Sequence, residues 1–421
     1  MNKAVIVSYA RTPIGKFRGS LSSLTAPELG SIAMKSALSR IGSIGYNEIT
    51  TNDNNNIDLH ISEAFMGNVV SAGIGQAPCR QAVLGAGLPK STICTTINKV
   101  CASGMKSVML ASQMIQCSTA ASNDHNTLAF LAGGMESMSN IPHYLPSLRT
   151  GINLGHTQLI DGVIHDGLWD PYNNSHMGIC AEKCAKDYNI TREEQDEYAL
   201  MSYKRAQSAI ENGIFNNEIE PVEIQQRKKK KTECTTSTTV NIDEEPSAVQ
   251  LGKISTLRPA FTTDNGTVTA ANASSLNDGA AAMVLMSEAS ALELGLKPLA
   301  RILGYGDAEQ DPVDFTTAPS LAVPVALKNA GLELSDVDYH EINEAFSVVA
   351  LANMKILNLD PSKVNIFGGA VSLGHPIGMS GARIIGSLCN VLHQSSDASI
   401  GCASICNGGG GASSIILERM N

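Results

Sequence analysis

Three side chains in this sequence stand on turns built from small residues, where a reactive atom would meet free backbone N–H groups: Cys101, His375 and Cys406. Cys101 opens Cys101-Ala102-Ser103-Gly104-Met105-Lys106. A β-branched run, 93–100, precedes it and reads as a strand, and 107–115 is apolar at helical spacing. Cys101 thus falls at a strand-to-helix junction, where the positive end of a helix dipole would lower a thiol's pKa and make it a nucleophile. The bland alternative is a buried core cysteine. His375 lies between Gly374 and Pro376, on a backbone with little freedom, which would fix its ring; a hydrogen-bonded loop histidine is the alternative. Cys406 ends a strand and is followed by Asn407 and the run Gly408–Gly411, which can turn several N–H groups towards one point as an anion-binding nest or can be only a flexible turn. Asn343, in Asn343-Glu344-Ala345-Phe346, follows a strand-like segment and by itself reads as a helix cap.

Strands and helices alternate around these positions. Helices are predicted over 26–41, 76–88, 320–331, 345–358 and 378–393, and over 191–212, where Thr191 and Glu194 form a capping box. Strands are predicted at the N-terminus and over 61–70, 127–134, 281–286 and 399–406. From about 138 to 260 the texture changes to Pro, Gly, His and Asn-rich loops around that one helix. Residues 46–58, 118–127 and 227–248 lack apolar periodicity and read as polar surface insertions, the last opening on the basic run Arg227–Lys231. A weak internal repeat aligns Cys101–Met105 with His375–Met379, Ser62–Phe65 with Asn343–Phe346, and Gly133-Gly134 with Gly408-Gly409. It would place Cys101 and His375 at matching junctions of two α/β halves, facing each other.

Composition narrows the function classes. Glycine is frequent, at 37 residues, and aromatics make up 4% of the chain, which fits an α/β protein with many tight turns. The net charge of −10 argues against a nucleic-acid surface. The ten cysteines include no C-x-x-C pair, so zinc and a disulfide framework are both poorly supported and the cytosol or another reducing compartment is the default, with the mitochondrion as the alternative. No apolar run approaches the roughly 18 residues of a membrane span. No secretory or mitochondrial leader is evident at the N-terminus, and Arg419-Met420-Asn421 is not the usual peroxisomal tripeptide.

Four motifs in this order resemble those of the thiolases, most closely the condensing, acetyl-CoA acetyltransferase type: Asn98–Lys106, Asn343–Phe346, Gly374–Gly378 and Cys406–Gly411. The resemblance runs from Lys3 to about Leu417. It implies an α/β thiolase fold of two similar halves with mixed five-stranded sheets, divided as 1–137, a loop domain over 138–260 covering the coenzyme A site, a return to the first half over 261–287, and a second half over 288–421. It also implies roles. Cys101 would carry the acetyl group and His375 would activate that thiol. Cys406 would take the proton from the second acetyl-CoA. Asn343 would hold a water beside His375, and the N–H of Gly408 would complete an oxyanion hole. Tyr203, Lys253, Ser274, His176 and Met177 would line the coenzyme A and acyl site. Potassium would be held by Tyr203 and by carbonyls of Ala270, Ala271, Ala273 and Val371. Phe315 resembles the short-chain, potassium-dependent type. The implied activity is reversible joining of two acetyl-CoA to acetoacetyl-CoA and coenzyme A, by a homotetramer with no covalently bound cofactor. A 3-ketoacyl-CoA thiolase of fatty-acid oxidation and a non-catalytic lipid carrier are the other readings.

Overall fold

Nine strands run through one sheet, and their order shows how the two ends of the chain come together. The computed structural model describes residues 2–41, 59–118, 127–152, 154–225 and 237–420; the predicted insertion at 46–58 and most of that at 118–127 lie outside them. The strands are β1 (Ala4–Arg11), β2 (Leu59–Gly67), β3 (Ile93–Ile97), β4 (Thr127–Ser137), β5 (Asn277–Ser287), β6 (Ala300–Glu309), β7 (Tyr339–Ile342), β8 (Ile400–Asn407) and β9 (Gly411–Arg419). Their order is β7-β8-β9-β6-β1-β5-β4-β2-β3, with Gly15–Lys16 adding a short strand beside β5. The helices that matter below are α1 (Ala26–Ser39), α2 (Pro78–Gly85), α3 (Ser103–Cys117), α4 (Met177–Asp187), α5 (Arg192–Glu211), α6 (Pro319–Ala330), α7 (Ser347–Leu357), α8 (Ala370–Leu373) and α9 (Ser380–Gln394).

The pairing repeats. β2 and β4 are parallel, as are β7 and β8; β4–β5 and β8–β9 are antiparallel, as are β5–β1 and β9–β6. The fifth place, filled by β3 in the first half, is reduced in the second to a single parallel bridge between His340 and Val364. The halves join through Val5↔Arg301 and Ile6↔Ala300. Of the three repeat landmarks, the first holds only in outline: the segments beginning at Cys101 and His375 both lead into helices, but α3 begins two residues after Cys101 and α9 five after His375, so the aligned register is three residues off and Gly104 corresponds to Gly381. The other two do not. Gly133-Gly134 lies inside β4, whereas Gly408-Gly409 lies beyond β8. Ser62–Phe65 lies inside β2, whereas Asn343–Phe346 follows β7.

Apolar residues of α3 and α9 pack together with one face of both half-sheets, as Met105, Val108, Met379, Ile385, Phe130 and Ile405 do. α1 and α2 cover the opposite face of the first half, α6 that of the second. α3 and α9 meet at backbone distance near their N-termini. A Cβ on Gly104 would lie 2.8 Å from Ala382 N, and one on Gly381 2.4 Å from Met105 N, so only glycine allows the crossing. α5 begins as predicted: Thr191 Oγ1 accepts the Glu194 N–H at 3.2 Å while Glu194 Oε2 accepts that of Thr191 at 2.6 Å.

The reading of 227–248 as a surface insertion fails for its second part. Asp243 is fully buried and takes both arms of the buried Arg11 guanidinium, at 2.7 and 2.9 Å. It also accepts the Ile14 N–H at 2.7 Å. Glu244 next to it accepts the N–H of Lys16 at 2.8 Å. Polar residues there serve an ion pair rather than an apolar face, so the lack of periodicity gave no warning. Residues 226–236 lie outside the described part.

Candidate active site

The turn carrying Cys101 is strained. Val100 has φ 45°, an outlier for a β-branched residue. Ser103 holds it there. Its Oγ donates to the Val100 carbonyl at 2.6 Å and accepts the Lys99 N–H at 2.8 Å, while Asn98 Oδ1 accepts the Val100 N–H at 3.0 Å. Lys99 and Lys106 both grip Asp307 on β6, at 2.9 and 2.7 Å, which fastens this turn of the first half to the second. The backbone N–H groups of Cys101 and Gly408 lie near the Cys101 sulfur and favour its ionised form. The expected lowering of its pKa is not found. Burial dominates and pushes the thiol up to about 12 against those two N–H groups, with the Glu136 carboxylate adding to the rise. Sequence placed the helix terminus correctly but could not show that the sulfur is 5% exposed.

His375 is fixed from three sides. Gly374, at φ 103°, lies against the Asn277 carboxamide, where a Cβ would come within 2.4 Å of Oδ1. Asn277 Oδ1 accepts the His375 N–H at 2.9 Å, tying the loop to β5 of the first half. His375 Nδ1 lies 2.6 Å from Ser380 Oγ, and that hydroxyl donates its one proton to the Pro376 carbonyl at 3.0 Å. With the hydroxyl proton assigned to Pro376, Nδ1 is the donor and Nε2 keeps its lone pair, an assignment that also gives the Asn343 amide an acceptor. Nε2 lies 3.5 Å from Asn343 Nδ2. Burial, helped by the Arg383 cation, drops the pKa of His375 to about 3, so the ring is neutral.

Asn343 is fully buried, and its N–H bonds the Ser404 carbonyl at 2.9 Å. Its Oδ1 is buried without a hydrogen-bond partner. Cys406 is buried too, and burial plus the nearby Cys101 raises its thiol pKa well above the ordinary value. Cys101 of the first half thus lies near Gly408 and Cys406 of the second, and Asn343 links His375 to Ser404 on the strand that carries Cys406. Beside them opens a cleft of about 500 Å³. Val100, Met177, Phe315 and Gly408 are among its lining, and the exposed His165 and Tyr172 stand at its mouth. His176 caps α4, its Nδ1 accepting the Gly178 N–H at 3.0 Å, and stacks on Phe261 at 4.7 Å; burial lowers its pKa.

Tyr203, Ala271 and Val371 pack in one cluster with Ile254. Lys253 is exposed on the turn beside Ile254. Ala270 is exposed, and Ala273 bridges Phe346. Ser274 Oγ donates to the Ala345 carbonyl at 2.9 Å, two residues from Asn343. Among the described residues, no donor reaches the carbonyls of Ala270, Ala271 or Ala273, the Tyr203 hydroxyl makes no hydrogen bond, and no cluster of three His, Cys, Asp or Glu side chains could hold a metal.

Two buried carboxylates escaped the sequence reading. Glu344 accepts Tyr198 and Ser202 hydroxyls at 2.8 Å each, Asn365 Nδ2 at 2.9 Å and the Val371 N–H at 3.1 Å, binding α5 to α8 just upstream of His375. Glu136 accepts the N–H groups of Val69 and Val70 and Asn68 Nδ2; burial raises its pKa to about 7. The available signal was a lone acid within an apolar segment, as at Ala132–Met138.

Comparison with known proteins assigns the chain to a family. A family model described as the thiolase N-terminal domain matches residues 4–289, and the thiolase C-terminal domain model matches 296–419. The chain belongs to the thiolase family. Acetyl-CoA acetyltransferase 1 of Arabidopsis thaliana is 54% identical over 417 residues, covering 99% of this chain and 94% of that protein. The acetyl-CoA acetyltransferase of Schizosaccharomyces pombe is 54% identical over 415 residues, covering 99% and 98%. A thiolase from Ascaris suum, solved in complex with coenzyme A, superposes with a TM-score of 0.86 at 44% identity, covering 99% of this chain and 100% of that one. In this thiolase the two matched regions meet between β5 and β6, at the seam where the half-sheets join through β1.

Proposed function

We infer that this thiolase is an acetyl-CoA acetyltransferase, joining two acetyl-CoA to acetoacetyl-CoA and coenzyme A and running the reverse. The observation that carries the reading is that Cys101 has the Gly408 N–H and the Cys406 thiol near its sulfur, while the Asn343 amide, on the segment after β7, meets Nε2 of His375 at 3.5 Å. Near-full-length similarity to acetyl-CoA acetyltransferases supports the substrate.

The mechanism follows from protonation states. Cys101 is a neutral thiol and His375 a neutral base. As the thiolate forms, its proton passes to His375 Nε2, and sulfur attacks the acetyl carbonyl. Coenzyme A leaves with the proton of Cys406, giving acetyl-Cys101 and a Cys406 thiolate. That thiolate, held at a raised pKa, is a strong base suited to a weakly acidic methyl group. It takes a proton from the second acetyl-CoA, and the enolate attacks acetyl-Cys101. The carbon–carbon bond forms, the carbon–sulfur bond breaks, and Cys101 recovers its proton from His375. Asn343 and the imidazolium face the enolate oxygen, and the N–H groups of Cys101 and Gly408 face that of the acyl-enzyme. One such donor is worth about 2.7–4 kcal/mol. The buried, unpartnered Asn343 Oδ1 is a polar atom that a bound water would satisfy.

Tyr203 and the free carbonyls of Ala270, Ala271 and Ala273, with Val371 alongside, form an all-oxygen set suited to potassium, whose chemistry is positioning by charge. Lys253, Ser274, His176 and Met177 are assigned to coenzyme A and the acyl pocket. A homotetramer in the cytosol completes the reading. The test is a steady-state assay of acetoacetyl-CoA against longer 3-ketoacyl-CoA thioesters, in potassium and in sodium. Preference for the longer thioesters would make it a fatty-acid-oxidation thiolase; no turnover of either would leave the lipid-carrier reading.

A further inference from the structure

Away from the catalytic turn, α2 and β3 place two more cysteines against each other. The Cys79 N–H donates to Thr96 Oγ1 at 3.1 Å. Side chains two apart on a strand share a face, so Cys79 sits over the face of β3 that carries Cys94 and Thr96. The Cys79 thiol donates to the Ala64 carbonyl at 3.4 Å, and Ala64 is the register partner of Cys94. Cys94 packs against the buried cluster that contains Cys79. Arg80, the next residue on α2, reaches Cys94 Sγ at 3.8 Å. Its guanidinium is anchored by the carbonyls of Thr92, at 2.7 Å, and Lys90, at 2.6 Å. Cys79 is buried, while Cys94 is partly open to solvent.

We propose that Cys94 and Cys79 form a peroxide-reactive dithiol, with Cys94 as the attacking thiolate and Cys79 as the thiol that resolves it into a reversible disulfide. The groups facing Cys94 set the roles. As neutral thiols, Cys79 bonds the Ala64 carbonyl and Cys94 that of Thr92. When Cys94 ionises, the Cys79 proton can turn to it, and Arg80 supplies charge. These two effects, the Cys79 hydrogen bond first, pull Cys94 down to about 6 against its partial burial and the repulsion of Glu63, while Cys79 moves up. The Cys94 thiolate attacks the terminal oxygen of hydrogen peroxide. A sulfur–oxygen bond forms, the oxygen–oxygen bond breaks, and hydroxide leaves. Cys79 then displaces the Cys94 sulfenic oxygen as water, closing the sulfur–sulfur bond. Cys101 is the slower target because it is buried and its thiol stays protonated.

The test uses the whole wild-type protein. One equivalent of hydrogen peroxide at neutral pH, blocking with iodoacetamide and non-reducing digestion should yield the Cys79–Cys94 cross-linked peptide as the main product. Dithiothreitol should remove it. Brief iodoacetamide labelling should modify Cys94 at least tenfold faster than Cys117, an exposed thiol on the last turn of α3, with a half-maximal rate near pH 6. Cys79→Ser should leave a Cys94 sulfenic acid that dimedone traps, and Arg80→Met should slow the labelling. Oxidation of Cys101 or Cys406 before Cys94, or labelling of Cys94 no faster than of Cys117, would overturn the proposal.

Discussion

The hydroxyl of Ser380 decides which nitrogen of His375 is free. Its proton is spent on the Pro376 carbonyl, so the 2.6 Å contact leaves Nδ1 as donor and Nε2 as the base. Ser380→Ala removes that choice without touching the reacting atoms. We predict a kcat lower by about ten- to hundredfold, since a displaced group costs that much, with KM almost unchanged. Ser380→Thr should recover part of it. Steady-state kinetics of both variants would check this, and an unchanged kcat in Ser380→Ala would show that the ring is held without the serine.

The Cys101 thiol, pushed up to about 12, should behave as a high-pKa thiol in the free enzyme. Its alkylation by iodoacetamide should rise about tenfold per pH unit through pH 9 with no plateau. Peptide mass analysis of labelling against pH measures this. A plateau near pH 7 would mean that the helix terminus outweighs burial.

Glu341, buried 3.8 Å from Arg383, has its pKa raised to about 8, chiefly by burial. The folded state therefore holds this proton up to higher pH than the unfolded state does, and stability from this group is lost as pH rises from about 4.5 through 8. Glu341→Gln lacks that loss. The difference in Tm, variant minus wild type, should become more positive between pH 5 and pH 8. A difference that shrinks with pH would mean that the Arg383 ion pair outweighs burial.

Asp243→Asn should cost no more than about 3–5 kcal/mol, the range for removing one partner of a buried ion pair, because Glu218 at 3.3 Å from Arg11 Nε keeps the cation partly compensated. Deleting 227–236 should cost less than Asp243→Asn does, although both changes fall within one polar stretch of sequence. Denaturant unfolding of the two variants distinguishes them; equal losses would remove Asp243 from its structural role.

Potassium should raise both turnover of acetoacetyl-CoA and Tm more than sodium at matched ionic strength, because a ligand of the native state stabilises it. Equal values in the two salts would assign the alanines at 270–273 to packing alone.

The site was legible where chemistry is written into neighbouring residues. Cys101, His375, Cys406 and Gly408 each sit among small residues that only a tight turn needs, and in the structure Cys101 lies near Gly408 and Cys406 while His375 meets Asn343. What could not be read were partners distant in the chain. Asp307 on Lys99, Asn277 on His375 and Asp243 on Arg11 lie 208, 98 and 232 residues from those they hold. Burial was also invisible, and it reverses the sign expected for the Cys101 thiol. The repeat was read correctly as two segments of small residues leading into α3 and α9, but three residues out of register: the glycines at the crossing are Gly104 and Gly381, whereas the alignment pairs Gly104 with Gly378. It was misread at Gly133-Gly134, where two glycines inside a strand were matched to a turn.

The position of β5 bears on how the chain is made. It lies between β1 and β4, yet it begins at Asn277, 140 residues after β4 ends at Ser137. On a ribosome, β1 emerges first and has no neighbour: one side waits for β5 and the other for β6. The first half therefore cannot close as the first domain of a nascent chain. The segment carrying Cys101 must remain provisional until β5, which ends at Ser287, has been synthesised.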